Sequence, residues 1–232
     1  MSARPDSFIF DIDGTIIDSM PSHEEAWVEF FRRKGQGTLG IDFFARTAGR
    51  TGLEVMREYF PGSEAELLAL VHEKEAIYRE MFGASFREVA GFKAFAQAAR
   101  EAGIKLACAT AGDADNIAFA LSNLGMEGFF DAVAGGHEVT QGKPAPDLFL
   151  LAARRIGADP ARSIVFEDAP LGVEGARRAG MRAVGLATSV TPAELDAPHV
   201  VATMHDYRDT TPQAILDAAS AHARISRAGS DA

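Results

Sequence analysis

Apolar and polar positions follow two regimes along this chain. Phe8, Ile9 and Phe10 form a short apolar run that stops abruptly at Asp11-Ile12-Asp13-Gly14-Thr15, as a buried parallel strand does on reaching a functional loop. Three more runs follow, Ile104 to Thr110, Ser163 to Phe166 and Arg182 to Leu186, each preceded by a helical pattern that ends in glycine. Those patterns are Phe92 to Gly103, Leu148 to Gly157 and Leu171 to Gly180. Glycine just past a helix end adopts the left-handed conformation that stops the helix. Strands and helices alternating at this spacing predict βαβ units, hence an α/β fold with a doubly wound, Rossmann-like parallel sheet.

Between about Ser19 and Phe86 the strand signal disappears. Amphipathic patterns take over in Glu24 to Lys34, Gly52 to Tyr59 and Glu64 to Phe82. The segment reads as a helical insert after the first strand, with hinges near Asp18 and near Ala90-Gly91. The expected division is an α/β core of residues 1–18 and 87–232 and a helical cap domain of residues 19–86. The tail after about Ala221 is rich in Ala, Ser, Gly and Arg and is expected to fray.

A length of 232 residues suits one α/β core with an insert. With 47% hydrophobic and 24% charged residues, the chain belongs to the ordinary soluble class. Lys plus Arg minus Asp plus Glu is 23 − 33 = −10, which argues against nucleic-acid or anionic-membrane partners. Any phosphate must then be held locally, by a metal or a few placed cations. Cys108, the only cysteine, lies within an apolar run and reads as a buried thiol. Met1 to Ser7 has no apolar leader core, and no run approaches the length of a membrane span. A cytoplasmic location is the expectation.

Asp11 and Asp13 fall at the carboxyl end of the first strand, where open α/β sheets place their ligands. Two carboxylates two residues apart point to opposite sides of an extended chain, so one is free to attack or bind metal while the other handles protons. Taken alone, the stretch reads equally well as a turn. Other strand ends change the balance. Thr110 ends one run, Lys143 opens Lys143-Pro144-Ala145-Pro146-Asp147, and Glu167-Asp168 end another. Each has a plain alternative: a helix-capping Thr, a solvated Lys, an acidic loop. A hydroxyl, a cation and a second acidic pair on one sheet edge are together hard to explain structurally.

These residues, Asp11-x-Asp13-Gly14-Thr15, Thr110, Lys143-Pro144 and Glu167-Asp168, resemble the four motifs of the haloacid dehalogenase-like superfamily, in its β-phosphoglucomutase-like phosphatase branch. The likeness runs from Phe8 to about Leu186 and includes the insert. It implies an aspartyl-phosphate formed on Asp11, with Asp13 as general acid and base. It also implies that Thr110 and Lys143 hold the transferring phosphoryl oxygens. By the same resemblance the cofactor is Mg2+, held by Asp11, the Asp13 carbonyl, Asp168 and, directly or through water, Glu167.

The insert resembles the cap that closes over such a site. His23 and Trp27 are four apart and share a helix face, as do Lys74 and Tyr78. Core packing is the default for Trp27 and Tyr78, and a solvated face for Lys74, yet His23 and Lys74 match positions that present polar groups to the active site in the family. Arg50, in a Gly-flanked loop, either reaches the substrate's non-reacting end or is an ordinary surface residue. Ala111 and Gly112, just after Thr110, complete the substrate-binding set with His23, Trp27, Arg50 and Lys74.

A phosphosugar mutase must grip a second phosphate with cations under the cap. Mutases of this branch carry Arg where this chain has Gly52, and Lys where it has Asp113, whose charge would repel a distal phosphate. The expected activity is therefore hydrolysis of a small phosphorylated metabolite such as a sugar, polyol or phosphoglycolate-like phosphate, by a monomer or weak dimer. A β-phosphoglucomutase-type mutase is the alternative. A phosphorylated receiver module shares the acidic cluster but has neither the insert nor an Asp13 placed for hydrolysis. A dehalogenase would leave Glu167-Asp168 without a purpose.

Overall fold

The computed structural model describes residues 5–40 and 42–228, those from 223 onward by backbone alone. Six parallel strands form one sheet: β1 (Ser7–Phe10), β2 (Lys105–Ala109), β3 (Ala132–Ala134), β4 (Ser163–Glu167), β5 (Arg182–Leu186) and β6 (Val200–Met204). Their spatial order is β3-β2-β1-β4-β5-β6, with β1 at the centre between β2 and β4. This is the doubly wound order, and it reverses direction beside β1. The four apolar runs became β1, β2, β4 and β5. The short strands β3 and β6 extend the sheet at its two edges, beyond those runs.

Alternation within each strand feeds two cores. Phe8, Phe10, Leu106, Cys108, Ile164, Phe166, Val184 and Leu186 face α5 (Phe92–Glu101) and α9 (Pro212–Ala228). Ile9, Ala107, Ala109, Val165 and Ala183 face α7 (Asp147–Arg155) and α8 (Pro170–Arg178). Both sheet faces are covered, so the strands read as continuous apolar runs. Large rings fill the first face: Phe10 stacks on Phe166 at 4.6 Å between centroids, and Phe8 packs on Phe95 at 6.0 Å. The second face uses smaller side chains, among them Ala107, Ala109 and Ala183.

Between β1 and α5 the chain builds α1 (Met20–Arg33), α2 (Phe43–Thr47), α3 (Gly52–Tyr59) and α4 (Glu64–Gly83). An aromatic cluster of Trp27, Phe30, Phe31, Phe43 and Tyr59 holds the first three together, with edge contacts such as Trp27 on Phe43 at 5.4 Å. The two connecting segments run side by side: the Asp18 amide donates to the Arg87 carbonyl, the Val89 amide to the Ile16 carbonyl, and Arg87 pairs with Asp18 at 2.6 Å.

Helix α6 (Ala114–Leu124) follows β2, and Gly125 ends it at a φ of +66°. The tail expected to fray from Ala221 instead continues α9 to Ala228, because Ile215, Leu216 and Ala219 bury one of its sides against the sheet. Residues 229–232 of that tail, and residues 1–4 of the expected core, lie outside the described residues. Among the described residues no helix is long and apolar enough to cross a membrane.

Candidate active site

The site forms where β1, β2 and β4 end. The Asp11 amide donates to the Phe166 carbonyl at 3.0 Å and carries the ladder one residue past β1, which fixes Asp11 beside the end of β4. The chain then folds back on itself, with the amides of Ile16 and Ile17 donating to the Ile12 carbonyl. Two outside groups clamp this turn: Thr188 donates to the Gly14 carbonyl at 2.6 Å, and buried Tyr207 to the Thr15 carbonyl at 3.2 Å. Gly14, at a φ of +75°, is required there. A Cβ on it would sit 2.0 Å from Asp168 Oδ2.

Asp11, Glu167 and Asp168 are all buried, and each offers an oxygen within 4.8 Å of the others. Lys143, also buried, donates to Asp11 Oδ1 and, at 2.7 Å, to Glu167 Oε2. Burial would lower the Lys143 ammonium, but the two carboxylates overcome this and push it above its usual range, so it stays charged. Burial pushes the Asp11 carboxyl up, against the pull of Lys143 and with the push of Glu167. Asp168 is driven up by burial and by Glu167 and Asp11. Three carboxylates share one cation, which leaves two negative charges uncompensated.

Asp13 is in a different environment. Its side chain is 19% exposed, and Oδ1 accepts from Ser19 Oγ at 2.7 Å, His23 Nε2 at 3.1 Å and Tyr78 Oη at 3.1 Å. Burial would raise this carboxyl. The hydrogen bonds from His23, Ser19 and Tyr78 outweigh it and hold the value at about 2. Behind His23 lies Lys74, whose ammonium donates to Nδ1 at 2.8 Å. An ammonium has no acceptor to offer, so Nδ1 accepts and Nε2 carries the proton shared with Asp13. The His23 ring stacks on Tyr78 with centroids 3.6 Å apart.

Thr110 directly follows β2, its hydroxyl oxygen accepting from the Gly112 amide at 3.0 Å, which leaves the hydroxyl proton to be donated elsewhere. Asp11, Asp13, Thr110, Glu167 and Asp168 line a cavity of about 110 Å3 whose walls also include His23, Trp27, Arg50, Lys74, Ala111 and Gly112. All six substrate-binding positions named from the sequence thus reach the cavity wall.

Several expectations change. Lys74 is not on a solvated face: it is 2% exposed, with its ammonium 4.7 Å from the Trp27 ring centre. Tyr78 is packed, as its default reading holds, but its hydroxyl also serves Asp13. Arg50 does not extend freely toward a substrate, because its guanidinium is bound to Glu58 at 2.8 Å and to the Glu54 carbonyl. Asp113 does not face the cavity as a repelling charge. Its carboxylate caps α6 by accepting from the Asn116 amide at 2.9 Å. Gly52 lines the cavity, and a Cβ there would lie 2.9 Å from Val71 Cγ1, so α3 approaches α4 too closely for a side chain at that position.

Sequence reasoning missed Ser19, Glu75 and Asn116. Ser19 directly precedes α1 and is fully buried; Glu75 and Asn116 line the cavity. One signal was available for Glu75. It falls with Lys74 on the apolar stripe of Leu67, Val71, Tyr78 and Phe82, a position where a solvated charge is out of place.

The profile of the haloacid dehalogenase-like hydrolases matches residues 5–180. Among relatives, the chain is 36% identical over 189 residues to the fructose-1-phosphate phosphatase YqaB of Escherichia coli, covering 79% of this chain and 97% of that one. It is 32% identical to hexitol phosphatase A of the same organism, over 79% of this chain and 83% of that one. A solved haloacid dehalogenase hydrolase of family IA from Entamoeba histolytica superposes with a TM-score of 0.82 at 26% identity, covering 93% of this chain and 99% of that one.

Proposed function

Since this chain belongs to the haloacid dehalogenase-like hydrolases and is a phosphoric monoester hydrolase, we propose that it is a magnesium-dependent phosphatase that forms an aspartyl-phosphate on Asp11. Its substrate in this reading is a small sugar or polyol phosphate, the class named for the fructose-1-phosphate and hexitol relatives. One observation carries the proposal: a buried acidic triad, bridged by Lys143, lies under a cavity that also holds Asp13.

The donor set fits magnesium. Asp11, Glu167 and Asp168 supply only oxygen, the ligand type hard divalent cations prefer. Their net charge with Lys143 is −3 + 1 = −2, which one divalent cation would balance. Gly14 leaves open the space that brings the Asp168 carboxylate against the turn. A cation bound there would offset the charge of the phosphoryl oxygens.

The side chains divide the remaining work. An Asp11 carboxylate oxygen bonds to phosphorus as the bond to the leaving oxygen breaks, and Asp13, ionised in the free protein, takes up a proton as the substrate's negative charge enters the cavity and gives it to that oxygen. Water, losing a proton to Asp13, then attacks phosphorus and frees Asp11 and inorganic phosphate. Lys143 holds Asp11 in place and screens it from Glu167, and the Thr110 hydroxyl donates to a phosphoryl oxygen. In this reading α1 to α4 form a cap, residues 19–86, that opens on the paired segments at Asp18 and Arg87.

The mutase alternative finds less support. Both cations in the cavity wall are already engaged, Arg50 with Glu58 and Lys74 with Glu75, so neither stands ready for a second phosphate. The test is phosphate release from a panel of sugar and polyol phosphates, with and without chelator. Release that stops in chelator and returns with Mg2+ supports the reading; full activity in chelator would overturn the metal role. Rapid isomerisation of β-glucose 1-phosphate with little release would restore the mutase.

A further inference from the structure

Glu75 is 8% exposed and Asn116 is 5% exposed, yet both reach the cavity wall. A buried carboxylate has to be paired. Glu75 Oε1 accepts from Lys74 Nζ at 3.0 Å, and Oε2 accepts from Asn116 Nδ2 at 2.7 Å. Asn116 Oδ1 in turn accepts from Arg79 Nη1 at 2.7 Å, so both ends of the amide are fixed. Helix α4 from the insert and α6 from the sheet side thereby hold one carboxylate in one orientation.

This carboxylate shares the cavity wall with Asp13. Asp13, which protonates the leaving oxygen in the reading above, is linked to it through His23 and Lys74 in an unbroken series of hydrogen bonds. A carboxylate has about four acceptor positions, and two are used here. Burial opposes its charge, but Lys74, His23 and Asn116 keep it below the ordinary range, so it is an anion with acceptor capacity left over. The cavity wall as a whole carries six carboxylates, Asp11, Asp13, Glu24, Glu75, Glu167 and Asp168, against Arg50 and Lys74.

We infer that Glu75, oriented by Asn116, selects the leaving group: it accepts a hydrogen bond from a hydroxyl of an uncharged sugar or polyol and repels a second phosphate. The inference rests on the phosphatase reading and deepens it. A bisphosphate would bring a second anion against Glu75 with no unpaired cation in the wall to receive it. A hydroxylated neutral group meets a buried acceptor with capacity left over.

The experiment measures kcat and KM of the wild type, Glu75→Gln, Glu75→Asp and Asn116→Ala on fructose 1-phosphate, fructose 1,6-bisphosphate and p-nitrophenyl phosphate, which has no hydroxyl arm. In Glu75→Gln, kcat/KM for fructose 1-phosphate should fall about tenfold relative to p-nitrophenyl phosphate, mainly through KM, and the bisphosphate should gain on both. Glu75→Asp keeps the charge but withdraws it, so it should still reject the bisphosphate while binding fructose 1-phosphate poorly. Asn116→Ala should shift the ratios as Glu75→Gln does, by less, and carries the test if Glu75→Gln fails to fold. An equal fall on all three substrates would make Glu75 a mere anchor for Lys74 and overturn the inference. Unchanged ratios would overturn it as well. A wild type that releases phosphate from none of the three would fail the phosphatase reading itself, and the inference with it.

Discussion

Lys143 ties together two buried carboxylates that would otherwise repel each other, and it holds Asp11 where the proposed mechanism needs its attacking oxygen. Asp11→Asn keeps the side chain's shape and removes the nucleophile of the proposed mechanism, so turnover should fall more than about a thousandfold while the thermal transition persists. Asp13→Asn should slow sugar phosphates far more than p-nitrophenyl phosphate, whose leaving oxygen needs little protonation; equal losses on both would count against the acid role. The residues of this machinery were readable in the chain because each ends an apolar run or opens a Pro-bounded loop, and only a sheet edge collects such positions. Ser19 and Asn116 were not readable, and Glu75 only as a charge out of place on an apolar stripe. Asn116 and Glu75 meet across 41 residues, and no local pattern encodes that meeting. Arg50 shows the converse, since its Gly-flanked loop suggested reach while Glu58, near the end of α3, takes its charge.

Helix α8 runs unusually close to the end of β4. A Cβ at Gly172 would lie 2.0 Å from the Glu167 carboxyl carbon, although alanine in a helix interior is ordinarily worth about 0.5–1 kcal/mol over glycine. Gly172→Ala should therefore push Glu167 off Lys143, raising the Mg2+ concentration needed for half-maximal activity at least about tenfold. An unchanged metal requirement would show that α8 shifts instead. The four internal strands and the helices ending in Gly103, Gly157 and Gly180 were legible because burial on both faces makes a strand uniformly apolar and a left-handed stop favours glycine. The edge strands were not. β3 is three residues long and β6 is half-exposed, so neither has the uninterrupted apolar run that marks a covered strand. In α9 the small residues suggested a loose tail, but Ile215, Leu216 and Ala219 recur at helical spacing and seat it on the sheet.

Charge balance couples the site to the stability of the whole protein. Asp11 and Asp168 are raised above the ordinary 3.8, so between that value and their folded values the folded state binds more protons than the unfolded one. Stability from this pair grows as pH falls through the raised values and is lost as pH rises. Asp13, lowered to about 2, acts oppositely: its contribution is present above 3.8 and disappears as pH falls through about 2. In chelator, calorimetry should find a higher Tm near about pH 5 than near about pH 8, and Mg2+ should raise Tm more at the higher pH. A chelated protein whose Tm is lower at about pH 5 would contradict this assignment of charge. The order of assembly follows from the place of β1. It precedes every other strand of the sheet in the chain, yet its partners start at residues 105 and 163, and Ser7 meets Ser163 across 156 residues. During synthesis the helices of the insert can close early on their own aromatic cluster, while Phe8, Ile9 and Phe10 wait as an adhesive stretch with no neighbour. On the ribosome this segment is the one that a holding chaperone would have to shield. Nascent chains stopped before residue 163 should expose it to protease, and chains carried past residue 186 should not.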